Sequence, residues 1–388
     1  MKQGKWYLPM IIPALGALLL DACSFSVQVL PTPIPPPLTS TQTSIPPTAR
    51  QTPVPFTLAL PSVTPTLISI RLGMFDMLEN FMSFGEGEAL RSLAFTPDGM
   101  VLASAGGNTD DFVIRLWDVA GGQSLGTLND HTGIVWSVAF SPDGQMLASV
   151  SSDATAKIWD WRSGTLLKTL DFPGEVVSVS FSPDGQTLAV GGVDEPQNQI
   201  RNAAVWTFSV DSWKPLLKLT EYWNITVMGY SPRGDVLVGG GTSRNVQVWR
   251  TDNGASLFTL NHAHQVSKAA ISPDGSTLAT GTCATVVNAQ CTEGGVWLWD
   301  LPTGKLIRKL AGFPDFVEGL AFSVDGSSLI TASRDGTLRI YSTSDYQPQF
   351  EAIPPGGTGV LALSSDGGLL ATGGANGEVH LWKIVYRP

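Results

Sequence analysis

The stretch GTCATVVNAQCTEGG, residues 281–295, carries two of the three cysteines, Cys283 and Cys291, with seven residues between them. A thiol pair of this kind could bind a metal, cycle redox equivalents, or close a disulfide, and two unrelated thiols would look the same. The spacing is not that of a zinc site, no histidine accompanies the pair, and there is no CxxC. The four histidines, His131, His262, His264 and His380, are scattered, and the chain has no HExxH, P-loop or GxSxG. Carboxylates gather in three polar segments as Asp110, Asp111, Asp194, Glu195 and Glu293. Calcium takes several oxygens at once, and no recognised loop spacing supplies them here. The expectation is a chain without catalytic residues, metal or cofactor.

The compartment bears on the thiols. Residues 1–23 begin with Lys2 and Lys5 and continue through an apolar run from Leu8 to Leu20. That run is shorter than a membrane-spanning helix, and Pro9 and Pro13 interrupt it, so it reads as a signal peptide. Its end, LDAC, resembles the lipobox of bacterial lipoproteins, matched by Leu20, Ala22 and Cys23 and departed from by Asp21. The resemblance implies a lipid on Cys23 and an exported, membrane-anchored protein at the cell surface or in the periplasm. With Cys23 so used, an exported chain keeps two thiols, and a Cys283–Cys291 disulfide is expected. Residues 24–66 are rich in Pro and Thr; the stretch 31–65 alone holds 11 prolines and a single charge, Arg50. Such a segment builds no core and favours extended polyproline II, a tether. The formal net charge of −10 argues against nucleic acid, whose binding rests on clustered Lys and Arg.

From residue 67 onward the chain repeats. AFTPDGMVLAS, AFSPDGQMLAS, SFSPDGQTLAV, GYSPRGDVLVG, AISPDGSTLAT, AFSVDGSSLIT and ALSSDGGLLAT align on one turn. Alternating apolar residues before it make a strand; Pro presets φ, Asp suits the next position, and Gly admits positive φ. A second apolar strand follows at once, then a third ending in an aromatic: Trp117, Trp159, Trp206, Trp249, Trp299, Tyr341 and Trp382. A turn, Gly-bearing as in SGTLLKTL and TGKLIRKL in four of them, and a fourth strand close each of the first six units. Seven such units over residues 79–388 resemble the WD40 family of seven-bladed β-propellers. The resemblance implies an all-β fold of four-stranded antiparallel blades. The last unit ends without a fourth strand, and NFMSF (residues 80–84) is expected to supply it, closing the ring.

WD40 blades carry a buried His, Ser or Thr, Asp and Trp that satisfy one another. The resemblance assigns these structural roles to His131, Ser149 (or Ser151), Asp153 and Trp159 in blade two. It leaves His262 with Trp299 in blade five, where no Asp matches, and Asp335 with Tyr341 in blade six. Phe172 and Phe313 fall where that histidine would sit.

Between the second and third strands (b and c) the repeats diverge. From the opening Leu of strand b to the aromatic of strand c, blades two, four, six and seven span 12 positions, but blades one, three and five span 15, 18 and 21. In a WD40-like ring these b–c insertions emerge on one face together with the d–a connections, which add Tyr222, Trp223 and Phe316. Loops on a rigid frame are where binding resides. The reading is a non-catalytic scaffold that takes a protein or peptide partner through Asp110, Asp111, Asp194, Glu195, Tyr222, Trp223, Glu293 and Phe316. The alternatives are a propeller hydrolase or lyase with acidic residues at the channel mouth, or a carbohydrate binder.

Overall fold

The computed structural model describes residues 75–85, 89–107, 111–195, 202–222, 225–242, 244–287, 290–354 and 357–386. The leader, Cys23 and the tether lie outside them. Seven four-stranded antiparallel sheets follow one another, six of them in sequence order a-b-c-d. The a strands abut their neighbours all the way round and line a central channel. The expected seven-bladed propeller is the observed fold.

The a–b turn shows why the repeat folds this way. In blade two Ser141 Oγ donates to Asp143 Oδ1 (2.6 Å) and accepts from the amide of Met146 (2.9 Å), while Gly144 adopts φ 67°. A Cβ in that conformation would be strained. Blade four, where the turn reads SPRGD, moves the acid two places on: Ser231 Oγ donates to Asp235 Oδ1 at 2.7 Å.

Closure is by the strand Phe75–Gly85, which pairs antiparallel with Glu378–Tyr386 in blade seven. The ladder starts five residues earlier than the NFMSF segment alone. Ser83 Oγ lies 2.8 Å from His380 Nδ1 across it. The cores lie between blades rather than within them. Val379 and Leu381 of blade seven pack with Leu102 and Trp117 of blade one, and Ile158 of blade two packs with Val176 and Val190 of blade three. Strand alternation turns each face of a blade toward a neighbour, the sheet-on-sheet solution to burying apolar surface.

The insertions take a form that the loop reading did not anticipate. In blade five, strands b (Thr277–Val287) and c (Gln290–Asp300) run on as one long ladder, Val287 opposite Gln290. The β-branched run Thr285, Val286, Val287 favours this extension. In blade three the strands Thr187–Glu195 and Asn202–Ser209 likewise lengthen, with Glu195 opposite Asn202. In blade one the strands end at Gly106 and resume at Ile114. The first residue of strand a, Leu90, pairs with the last of strand b, Gly106. This register puts d–a and b–c connections at the same end of the blade.

Candidate interaction face and channel mouth

At that end, every a strand of blades one to six carries a β-bulge at its second residue. The register skips Arg91, Trp136, Val177, Thr226, Ser267 and Glu318 in turn. An extra residue breaks the alternation and re-aims its side chain. In blade seven the equivalent place is Gly359, whose amide donates to Gly373 O at 2.9 Å. These seven residues ring one cavity of about 380 Å³, the mouth of the channel. A further cavity of about 200 Å³ shares much of that lining.

Two of the ring's side chains are used within the propeller. Thr226 Oγ1 donates to Val266 O (2.9 Å) and Ser267 Oγ to Val317 O (2.5 Å), each fastening its blade to the next. Val177 offers only methyl groups. Functional groups are left at Arg91, Trp136 and Glu318, with Lys268 one step inward. The Arg91 guanidinium lies 5.2 Å from the centre of the Trp136 ring. The Trp136 indole N–H is buried and meets no acceptor among the described residues. Glu318 Oε2 would stand 3.1 Å from a Cβ on Gly359, so the glycine leaves it room. Burial raises the Glu318 pKa, while Arg334, Lys268 and Arg91 work to lower it. Lys268 is half-buried beside the lumen, and the loss of solvent there holds its ammonium below the usual lysine value, against the pull of Glu318. Neither Arg91 nor Lys268 has an ion-pair partner among the described residues.

Of the acidic candidates, Asp111 binds Arg115 (2.5 Å) and Asp194 binds Lys218 (2.8 Å). Glu293 accepts from Thr285 Oγ1 at 3.0 Å across the long hairpin. These carboxylates therefore brace the insertions as well as charge them. Cys283 and Cys291 are joined in that hairpin as a disulfide, Cα atoms 5.8 Å apart. Phe316 is half-buried, and its carbonyl takes the amide of Arg334 (2.8 Å). Glu195 and Tyr222 end their strands; Asp110 and Trp223 lie outside the described residues. Open beside the mouth is a groove lined by Arg91, Phe112 and Ile134. The ring itself escaped the sequence reading. Its one signal was a large polar or aromatic residue second in the strands LRSLAF, VWSVAF and VEGLAF.

The tetrad is a framework device. His131 contacts Asp153 through Nδ1 (2.8 Å) and Ser149 through Nε2 (2.8 Å), and Trp159 Nε1 donates to the same Ser149 Oγ (2.9 Å). Ser149, not Ser151, fills the hydroxyl position; Ser151 instead accepts the amide of Asp153 (3.1 Å). Burial lowers the His131 pKa. Burial works to raise that of Asp153, but hydrogen bonds from Thr155, Thr132 and His131 bring it below its ordinary value. Blade five keeps the arrangement without the acid. Phe313 is buried against Tyr341, and Phe172 meets Trp206 edge-on at 5.0 Å, both under the connections.

A family model, WD domain, G-beta repeat, matches residues 81–118, 122–160, 164–195, 254–300, 304–342 and 354–383, more than half of the chain. The chain belongs to the WD40-repeat family. Most of these matches run from strand d of one blade to strand c of the next, and the first three strands of blade four, Ile225–Tyr230, Val236–Gly241 and Asn245–Arg250, complete a blade although no match covers them. Autophagy-related protein 16 of Arabidopsis thaliana is 24% identical over 320 residues, 80% of this chain and 58% of that protein. Eukaryotic translation initiation factor 3 subunit I of Coccidioides immitis is 28% identical over 299 residues, 76% of this chain and 75% of that protein. Small ribosomal subunit protein RACK1y of rice is 30% identical over 165 residues, 40% of this chain and 45% of that protein. The chain thus spans under two thirds of the first and third of these relatives.

Proposed function

We propose that this WD40 propeller is a non-catalytic scaffold that captures a protein partner on the face bearing the b–c extensions of blades one, three and five. The observation that carries the reading is convergence. The disulfide-closed hairpin of blade five, the lengthened strands of blade three and the channel-mouth ring all lie at the same end of their blades. Relatives named for a translation initiation factor and a ribosomal subunit belong to multi-protein assemblies, which favours a partner-binding role. The proposal includes export and a lipid on Cys23, holding the propeller outside the cytoplasm of a bacterium. Support for that part comes from the leader pattern, the Pro/Thr tether and a cysteine pair suited to an oxidising compartment; the relatives named above lend it none.

A photo-crosslinker at Val286, exposed on the blade-five hairpin, tests the face. Crosslinking to one defined polypeptide, lost when residues 284–292 are replaced by a two-residue turn, is the expected result. A partner still captured with all three extensions shortened sinks the reading. For the anchor, Cys23→Ala should release the protein from membranes; retention there removes the lipid.

A further inference from the structure

We infer that the channel mouth is a carboxylate-recognition site that takes an acidic side chain of the partner polypeptide between Arg91 and Lys268. The inference rests on the scaffold reading and names the chemistry of its partner. In a chain of net charge −10, two cations line one lumen together with two carboxylates, Glu318 and Glu175, and neither cation has an ion-pair partner among the described residues. Desolvating an ammonium is costly, that of Lys268 is offset only by the pull of Glu318 without a direct ion pair, and such groups gather at binding sites. Arg91 is exposed, and Trp136 behind it gives the planar guanidinium a fixed surface. A guanidinium so held offers the two-pronged donor geometry a carboxylate accepts.

The rest of the ring narrows the choice. Thr226 and Ser267 donate to backbone carbonyls of the next blade, so their protons are taken. Glu318, facing Gly359, and Glu175 bring carboxylates to the same lumen. That opposes a dianionic phosphate more than a single carboxylate, the repulsive half of specificity. Arg91 also borders the groove of Phe112 and Ile134, so a polypeptide lying there has its acidic side chain beside the mouth.

The probe is a pair of fluorescein-labelled, capped hexapeptides, each with a phenylalanine after its central residue, one with glutamate at the centre and its twin with glutamine. Binding to the full chain is read by anisotropy at low salt. The glutamate peptide is expected to bind at least ten-fold tighter than its twin. Arg91→Gln, on an exposed side chain, and Lys268→Met should each remove most of that preference with unchanged thermal melts. Equal binding of the two peptides overturns the inference, as does a preference that survives both substitutions. Free glutarate competing as well as the peptide does also overturns it, assigning the site to a small acid. If the shortened hairpins abolish partner capture while Arg91→Gln and Lys268→Met leave it intact, the scaffold reading stands and this one falls.

Discussion

Trp299 and His262 hold the same hydroxyl. The indole N–H donates to Thr280 Oγ1 at 3.1 Å, and His262 Nε2 lies 2.8 Å from that atom. Their rings meet edge to face at 5.1 Å.

Burial brings the His262 pKa down to about 4, against about 6.5 in an unfolded chain. Between those values the unfolded state binds the additional proton, so stability is full above pH 6.5 and falls as pH drops toward 4. The contribution is on the order of 3 kcal/mol. Denaturant melts at pH 7 and pH 4.5 should show a steeper loss for the native chain than for His262→Gln. Parallel losses would mean that His262 does not titrate on unfolding. The turn aspartates, such as Asp274 held at about 2 by hydrogen bonds led by that from Ser272, act in a lower window.

Ser149→Ala removes the acceptor of the Trp159 indole and the partner of His131 Nε2 together. A buried donor left unmade costs about 1–3 kcal/mol. The expected loss in unfolding free energy is therefore larger than for Ser163→Ala, whose hydroxyl lies at an exposed turn. Equal effects would deny the tetrad its structural role.

Deleting residues 75–85 bares the edge of Glu378–Tyr386, where Leu381 and Trp382 are buried. The shortened chain should melt well below the full chain and gain a tendency to self-associate through the open strand. Unchanged melting with a monomeric profile by light scattering would show that the ring does not depend on this strand.

Reduction of Cys283–Cys291 opens a loop with a sequence separation of 8. The chain-entropy model gives roughly 2–3 kcal/mol for so short a closure. Because the bond joins one hairpin rather than two blades, most of the effect should be local. Hydrogen exchange should quicken across Cys283–Glu293 while the main thermal transition moves little. A large drop in that transition would place the bond in the cooperative core.

The sequence carried the blades because each residue of SPDG has its own task, visible in Ser141, Asp143 and Gly144. Ring closure was legible too, since a seventh unit short of one strand needs an edge partner. The bulges were not. In VWSVAF the alternation reads smoothly through Trp136, and only the register of the paired strand, Val135 to Ser151 and then Ser137 to Val150, reveals the skipped residue. Lys268 hid for a related reason, because in VSKAAI nothing marks its neighbour Ser267 as the extra residue. The hairpin of blade five was read by its glycines and cysteines rather than by Thr285, Val286 and Val287, which argue for a ladder.

The repeated bulge makes the rim of the channel a seven-letter word, one letter per blade. Because the bulged residue has no register partner, a letter can change from Arg to Trp to Glu without rewriting the sheet that holds it. Thr226 and Ser267 act as punctuation, locking their blades together. Paralogous rings built on this frame could acquire new addresses by single substitutions at the rim, long before their cores diverged.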